Sequence, residues 1–212
     1  MEIQLAYGKK GLGIHLPDDL NVEIVEPKYV HGLADQAKAV RDALRQPTAS
    51  EPLKKLIKSS DKVGIVFNDI TRPTPYQLIL PIFLDELNHL PDDRIVLLNA
   101  TGTHRANTKA ELRAMLGDKI VDRYRIIQND AQDPDSHVLV GTTRTGNDIW
   151  IHREYVECDM RILTGFIEPH FFAGFSGGGK ACMPGLALLE MVLRNHSAKN
   201  IDNPMASWGI TH

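Results

Sequence analysis

From residue 61 onward, short apolar runs alternate with stretches of helical periodicity, the pattern of a parallel sheet covered on both faces. Lys62–Phe67 (KVGIVF) and Arg94–Asn99 (RIVLLN) read as strands, and Tyr76–Leu90 and Lys109–Leu116 as helices. Arg125–Ile127, Val138–Val140 and Arg161–Gly165 are further strand candidates. Parallel neighbours can be joined only by long crossovers, so this spacing favours an open α/β sheet over hairpins. The predicted fold class is therefore α/β, a mainly parallel sheet with helices on both faces in a Rossmann-like arrangement. In such sheets the carboxyl ends of the strands share one edge, and ligands bind there where the strand order reverses.

Residues 1–60 form an annex to that core at 61–212. Ile3, Leu5 and Tyr7, then Ile14 and Leu16, alternate with polar residues around the turn GKKGLG, which predicts a β-hairpin followed by a third short strand at Val22–Val25. Leu33–Leu44 has helical periodicity ended by Pro47, and Glu51–Ile57 predicts a second, shorter helix. A net charge of -3 over 212 residues, with no basic run, argues against a nucleic-acid partner. No stretch approaches the ~18 apolar residues of a membrane span, and MEIQLAYGKKG lacks the apolar core of a signal peptide. The expectation is a soluble, cytoplasmic chain. Cys158 and Cys182 have neither metal-pair spacing nor a disulfide framework, although Cys182 lies close enough to Lys180 to be a minor candidate site residue.

The chemically distinctive residues follow strands. NDITRPTP follows the first parallel strand, ATGTHRANT the second and GFIEPHFFAGFSGGGK the last, so Asp69, Arg72, His104, Arg105, His170 and Lys180 are expected to converge on one edge. Thr74 with Pro75 reads as an N-cap followed by proline in the first turn, and Thr108 with Glu111 as a capping box. Helix N-termini attract anions, and Arg72 beside one of them points to a carboxylate or phosphate ligand.

Gly177, Gly178 and Gly179 remove every Cβ beside Lys180, which suits a phosphate or a bulky planar cofactor. Helical spacing resumes after Pro184 through Leu186, Leu189, Val192 and Leu193 and ends near His196. Two readings compete for the lysine. Gly174 to Lys180 fits the phosphate-loop pattern, but Ala181 stands where a Ser or Thr hydroxyl should hold magnesium, and Glu168 to Ala173 separate the loop from its strand. His15, His31, His89, His137, His152 and His212 read as ordinary surface or hydrogen-bonded histidines. His104, His170 and His196 stand at strand ends or beyond the helix that follows the lysine. Histidine titrates near neutrality and ligates metals, so a base, an acid and a metal ligand is a reasonable division among them.

Taken in order, NDITRP, TGTHR, GFIEPHFFAGFSGGGKACMPG and NHS resemble the lactate racemase family that uses a nickel-pincer nucleotide. The resemblance implies that Lys180 bonds the cofactor, pyridinium-3,5-bisthiocarboxylic acid mononucleotide, through a thioamide. It also implies that His196 ligates nickel, that His104 and His170 are the paired acid/base residues, and that Asp69 and Arg72 contact substrate or cofactor phosphate. The implied reaction is racemisation of a lactate-like 2-hydroxy acid by hydride transfer, which avoids removing a weakly acidic Cα proton. Cofactor-synthesis proteins are the implied partners. Family members carry a second α/β domain that this chain lacks, so the expectation is an N-terminal domain that is inactive or very weak alone. The alternatives are a phosphate-loop nucleotide-binding protein and a non-catalytic cofactor carrier; a carrier would not need both His104 and His170.

Overall fold

The structure, a computed structural model, describes residues 1–26 and 28–207. The chain divides into two compact units, Met1–Ala34 and a larger one beginning at Asp35. In the first, β1 (Glu2–Leu5) pairs antiparallel with β2 (Leu12–His15), with Ile3 opposite Ile14. Gly8 and Gly11 turn the chain between them at positive φ. The expected third strand at Val22–Val25 does not form. Ile24 and Val25 are exposed, so an alternating pattern there has no apolar surface to bury.

The larger unit runs through α1 (Gln36–Arg45), α2 (Leu53–Leu56), β3 (Val63–Asn68), α3 (Tyr76–Glu86), β4 (Ile95–Ala100), α4 (Lys109–Leu116), α5 (Asp118–Arg123), β5 (Arg125–Gln128), β6 (His137–Thr142), β7 (Asp148–His152), α6 (Arg153–Val156), β8 (Met160–Leu163), β9 (Pro169–His170), β10 (Gly174–Phe175), α7 (Leu189–Asn195) and α8 (Ala198–Ile201). Four strands form one wholly parallel sheet in the order β5-β4-β3-β8. The chain first builds outward from β3 through β4 to β5 and then returns to add β8 on the other side of β3. The order therefore reverses between β3 and β8, and a crevice is expected beyond their carboxyl ends.

Both faces of the sheet are covered, which is why its strands read as continuous apolar runs. On one face Val63, Ile65, Phe67 and Leu97 pack against Tyr76, Leu80 and Leu84 of α3, Leu112 and Leu116 of α4, and Ile120 of α5. On the other, Val66, Val96 and Leu98 meet Ile151 of β7, Cys158, Leu186, Ala187 and Val192 of α7. Each fully buried large apolar side chain contributes roughly 1.5–3 kcal/mol. Gly64 allows this second layer to approach closely, since a Cβ there would lie 2.8 Å from Cys158 Sγ.

Several boundaries differ from the sequence reading. α3 ends at Glu86, yet Leu87 and Leu90 stay buried in turns, so the apolar stripe outlasts the helix. Val138–Val140 belong to β6, which pairs antiparallel with β7 in a separate hairpin. Leu139 and Val140 are exposed there, and this segment never joins the parallel sheet. The helix expected after Pro184 is α7, which begins only at Leu189, after Gly185, Leu186 and Ala187 are already buried against the sheet. No helix among the described residues is long and apolar enough to cross a membrane.

Candidate active site

The loops after β3, β4 and β8 meet around a cavity of about 490 Å³ whose lining includes Asp69, Arg72, His104, His170, Lys180 and His196. Buried Tyr76 anchors the first loop, taking the Asn68 N–H at 2.6 Å and donating to Asn68 Oδ1 at 3.0 Å. Asp69 is itself buried. Its Oδ1 accepts from Thr71 Oγ1 at 2.7 Å and more weakly from Thr71 N at 3.3 Å. Its Oδ2 is 2.6 Å from His104 Nδ1. Thr74 does not cap α3. Pro75 occupies the cap position without a side-chain cap bond, and Thr74 Oγ1 turns inward to Asn68 Oδ1 at 3.3 Å.

Thr101 to His104 form the second loop, held from below by Asn129 at the end of β5. Thr101 Oγ1 donates to Asn129 O at 2.6 Å, and Asn129 Nδ2 reaches the carbonyls of Gly102 and Ala187 at 3.4 Å each. His137 is buried and bonds Asn129 Oδ1 through Nε2 at 3.1 Å and Asp133 O through Nδ1 at 2.8 Å, a hydrogen-bonded structural histidine as expected. Gly102 N donates to Gly185 O at 2.9 Å, tying this loop to the lysine segment. Arg105 does not reach the cavity. Glu111, already engaged in the capping box with Thr108, takes both Arg105 terminal nitrogens at 2.7 and 2.8 Å and diverts the guanidinium.

The third loop leaves β8 through Thr164, whose Oγ1 donates to Val66 O at 2.6 Å. Ser176 Oγ donates to Phe166 O at 2.7 Å and accepts from Glu168 N at 3.1 Å, closing the small β9–β10 hairpin that carries His170. His170 Nδ1 accepts the backbone N–H of Phe172 at 3.2 Å and of Ala173 at 3.1 Å. Burial, then the charges of Lys180 and Arg72, hold this imidazole below the ordinary histidine range.

Lys180 sits in a single 3₁₀ turn, Gly178–Ala181. Among the described residues its amine has no hydrogen-bond or ion-pair partner; burial first and the Arg72 charge second hold it below the ordinary lysine range. The Arg72 guanidinium is likewise without a side-chain partner among the described residues and lines the same cavity. His196 Nδ1 lies 2.9 Å from Val192 O, so that nitrogen carries the proton and Nε2 keeps its lone pair. Gly177 and Gly178 adopt positive φ, but only Gly177 of the three glycines lines the cavity. A Cβ on Gly177 would meet Ile167 Cγ1 at 2.9 Å, whereas Gly179 has open space around it.

A phosphate loop is not what this lysine occupies. Such a loop runs from a buried parallel strand directly into a helix. Here Gly174 and Phe175 form a two-residue antiparallel strand, and α7 does not begin until Leu189. Asn68, Thr101 and Ser176 lie within the quoted motifs but, like Asn129, are not singled out there as site residues. Each follows a strand or flanks a motif, but their neutral side chains carry no chemical signature of their own. No group of three His, Cys, Asp or Glu side chains suited to a metal occurs among the described residues, which do not include His212.

Residues 7–209 match the family described as the lactate racemase N-terminal domain. The lactate racemase of Thermoanaerobacterium thermosaccharolyticum is 35% identical over 98% of this chain and 50% of its own length. That of Lactiplantibacillus plantarum is also 35% identical, over 98% and 50% respectively. The chain thus spans about half the length of the curated relatives it matches. The solved lactate racemase apoprotein from T. thermosaccharolyticum superposes with a TM-score of 0.88, covering 99% of this chain and 49% of that one. A crystal structure of a Thermotoga maritima protein, 25% identical, gives a TM-score of 0.60 over 77% of this chain and 41% of its own.

Proposed function

Because the chain belongs to the lactate racemase N-terminal domain family, we propose that it is the cofactor-binding and proton-handling half of a racemase acting on lactate or a lactate-like 2-hydroxy acid. The observation that carries this reading is the convergence on one cavity of His104 from the loop after β4, His170 and Lys180 from the segment after β8, and His196 from the end of α7. The Asp69–His104 pair orients an imidazole to take up a hydroxyl proton, as carboxylate–histidine pairs do in general acid–base catalysis. Arg72 holds an anionic group, either the substrate carboxylate or a cofactor phosphate.

The residues present fit a nickel-pincer nucleotide. An unpartnered amine with a depressed pKa is a better nucleophile near neutrality, which suits Lys180 as the covalent attachment point. An imidazole that gives its Nδ1–H to a backbone carbonyl is arranged as metal-ligating histidines usually are, which suits His196 as one nickel ligand. Gly177 lines the cavity near the lysine, and its missing Cβ lets the loop pack against Ile167 at its positive φ. When bound, that group would supply a hydride acceptor for the substrate Cα; the chain's own residues bind, orient and move the hydroxyl proton. We place the protein in the cytoplasm, where reduced Cys158 and Cys182 are the default. Its cofactor is supplied by synthesis proteins.

The test is intact-mass measurement of the protein made with nickel and the cofactor-synthesis proteins. Wild type should carry a covalent adduct that Lys180→Ala abolishes, and His196→Ala should keep the organic adduct but hold nickel poorly. An unmodified Lys180 together with tight magnesium-dependent ATP binding would refute the reading.

A further inference from the structure

The two cavity histidines are held by different kinds of partner. Asp69 Oδ2, 2.6 Å from His104 Nδ1, is a carboxylate oxygen and can only accept, so Nδ1 carries the proton and Nε2 keeps a lone pair. The partners of His170 Nδ1 are the backbone amides of Phe172 and Ala173, at 3.2 and 3.1 Å, which can only donate. Nδ1 must therefore be bare, and the proton of the neutral ring sits on Nε2.

We propose that the cavity holds its two histidines as opposite tautomers: His104 offers a bare Nε2 that accepts the substrate's hydroxyl proton, while His170 offers an Nε2–H that donates a hydrogen bond. The assignment of roles rests on the racemase reading; the tautomers themselves do not. Protonating His170 at Nδ1 would set that nitrogen against two backbone N–H groups in a loop fixed by Ser176, so its ring is a poor proton acceptor. The nearby charges of Lys180 and Arg72 act in the same direction. Asp69 is a positioning residue whose orientation is itself fixed, because Thr71 donates to Oδ1 twice and leaves Oδ2 to His104. In Asp69→Asn the carboxamide oxygen should stay with Thr71 and turn its NH2 toward His104 Nδ1, forcing the proton onto Nε2.

Two-bond ¹H–¹⁵N correlation of histidine-labelled protein at about pH 8, above the ordinary histidine range, reads this directly. His104→Gln and His170→Gln identify the signals by their loss. The expected result is an Nδ1–H pattern for His104, an Nε2–H pattern for His170, and inversion of the His104 pattern alone in Asp69→Asn. The same tautomer for both rings, or averaged shifts for either, overturns the proposal, and this measurement on wild type needs no variant to fold. The outcome is independent of the Lys180 adduct: loss of the adduct removes the racemase reading and leaves the tautomers standing, whereas a wrong tautomer removes this inference and leaves the adduct standing. In the complete cofactor-loaded enzyme, His170→Gln retains an N–H donor and should turn over at least about tenfold faster than His104→Gln, since positioned acid–base groups are worth on the order of 10²–10⁴ in rate. Equal losses would overturn the unequal roles.

Discussion

Replacing Glu154 by Gln removes one negative charge from the point where three elements are tied together. Glu154 Oε1 accepts from Arg125 Nη2 at 2.6 Å, and Oε2 from Arg125 Nη1 at 3.1 Å and Lys62 Nζ at 3.0 Å, so α6 is bound to residues beside β3 and at the start of β5. The side chain is 21% exposed. The Arg125 hydrogen bonds, only partly opposed by burial and reinforced by Lys62, hold its carboxyl at about 2 against an ordinary value of 4.5. At ~1.4 kcal/mol per pH unit that gap has an upper bound of roughly 3.5 kcal/mol, and solvent screening of a part-exposed pair reduces it to about 1–2 kcal/mol. Because the folded pKa is depressed, this stability is present above the unfolded value and is lost as pH falls from about 4.5 through about 2. Urea unfolding followed by circular dichroism at several pH values should show Glu154→Gln about 1–2 kcal/mol less stable near neutrality, with the difference closing across that acid window. Other carboxylates titrate there too, but they cancel between the two proteins. A difference that stays constant with pH, or that is absent near neutrality, would refute the argument.

Gly185→Ala would put a Cβ 2.1 Å from Ala181 O and 2.7 Å from Ala100 Cβ. Neither atom belongs to a flexible side-chain end, so the variant should lose about 2 kcal/mol or more in thermal or urea unfolding; unchanged stability would mean that the lysine segment shifts freely. Cys158 is buried, its Sγ donates to Glu154 O at 3.0 Å, and burial pushes its thiol up to about 11. It should resist alkylation in the native protein near neutral pH and react quickly in urea, because the thiolate is the reactive form; native labelling at the free-thiol rate would contradict this.

The strands of the sheet were legible as apolar runs because β3 and β4 are buried on both faces, and the capping box at Thr108 was legible because both partners lie within one helical turn. The same local reading placed Asp69, His104, His170 and Lys180 at strand ends, and all four line the cavity. Other features were decided by partners distant in sequence. Val22–Val25 alternates like a strand but leaves Ile24 and Val25 exposed, and β6 pairs with β7 instead of joining the parallel sheet. Arg105 lies beside His104 in sequence, yet Glu111 draws its guanidinium away from the cavity. Asp69 meets His104 across 35 positions of sequence, and Asn129 reaches the Ala187 carbonyl across 58. Periodicity records which side of an element is apolar, a property each segment carries by itself. Which strand lies beside which, and whether a carboxylate or a backbone amide faces an imidazole nitrogen, depend on packing that brings distant residues together. The sequence by itself therefore determined the elements and the candidate chemical groups, and only the tertiary structure decided the strand order, the cavity and the proton positions on its histidines.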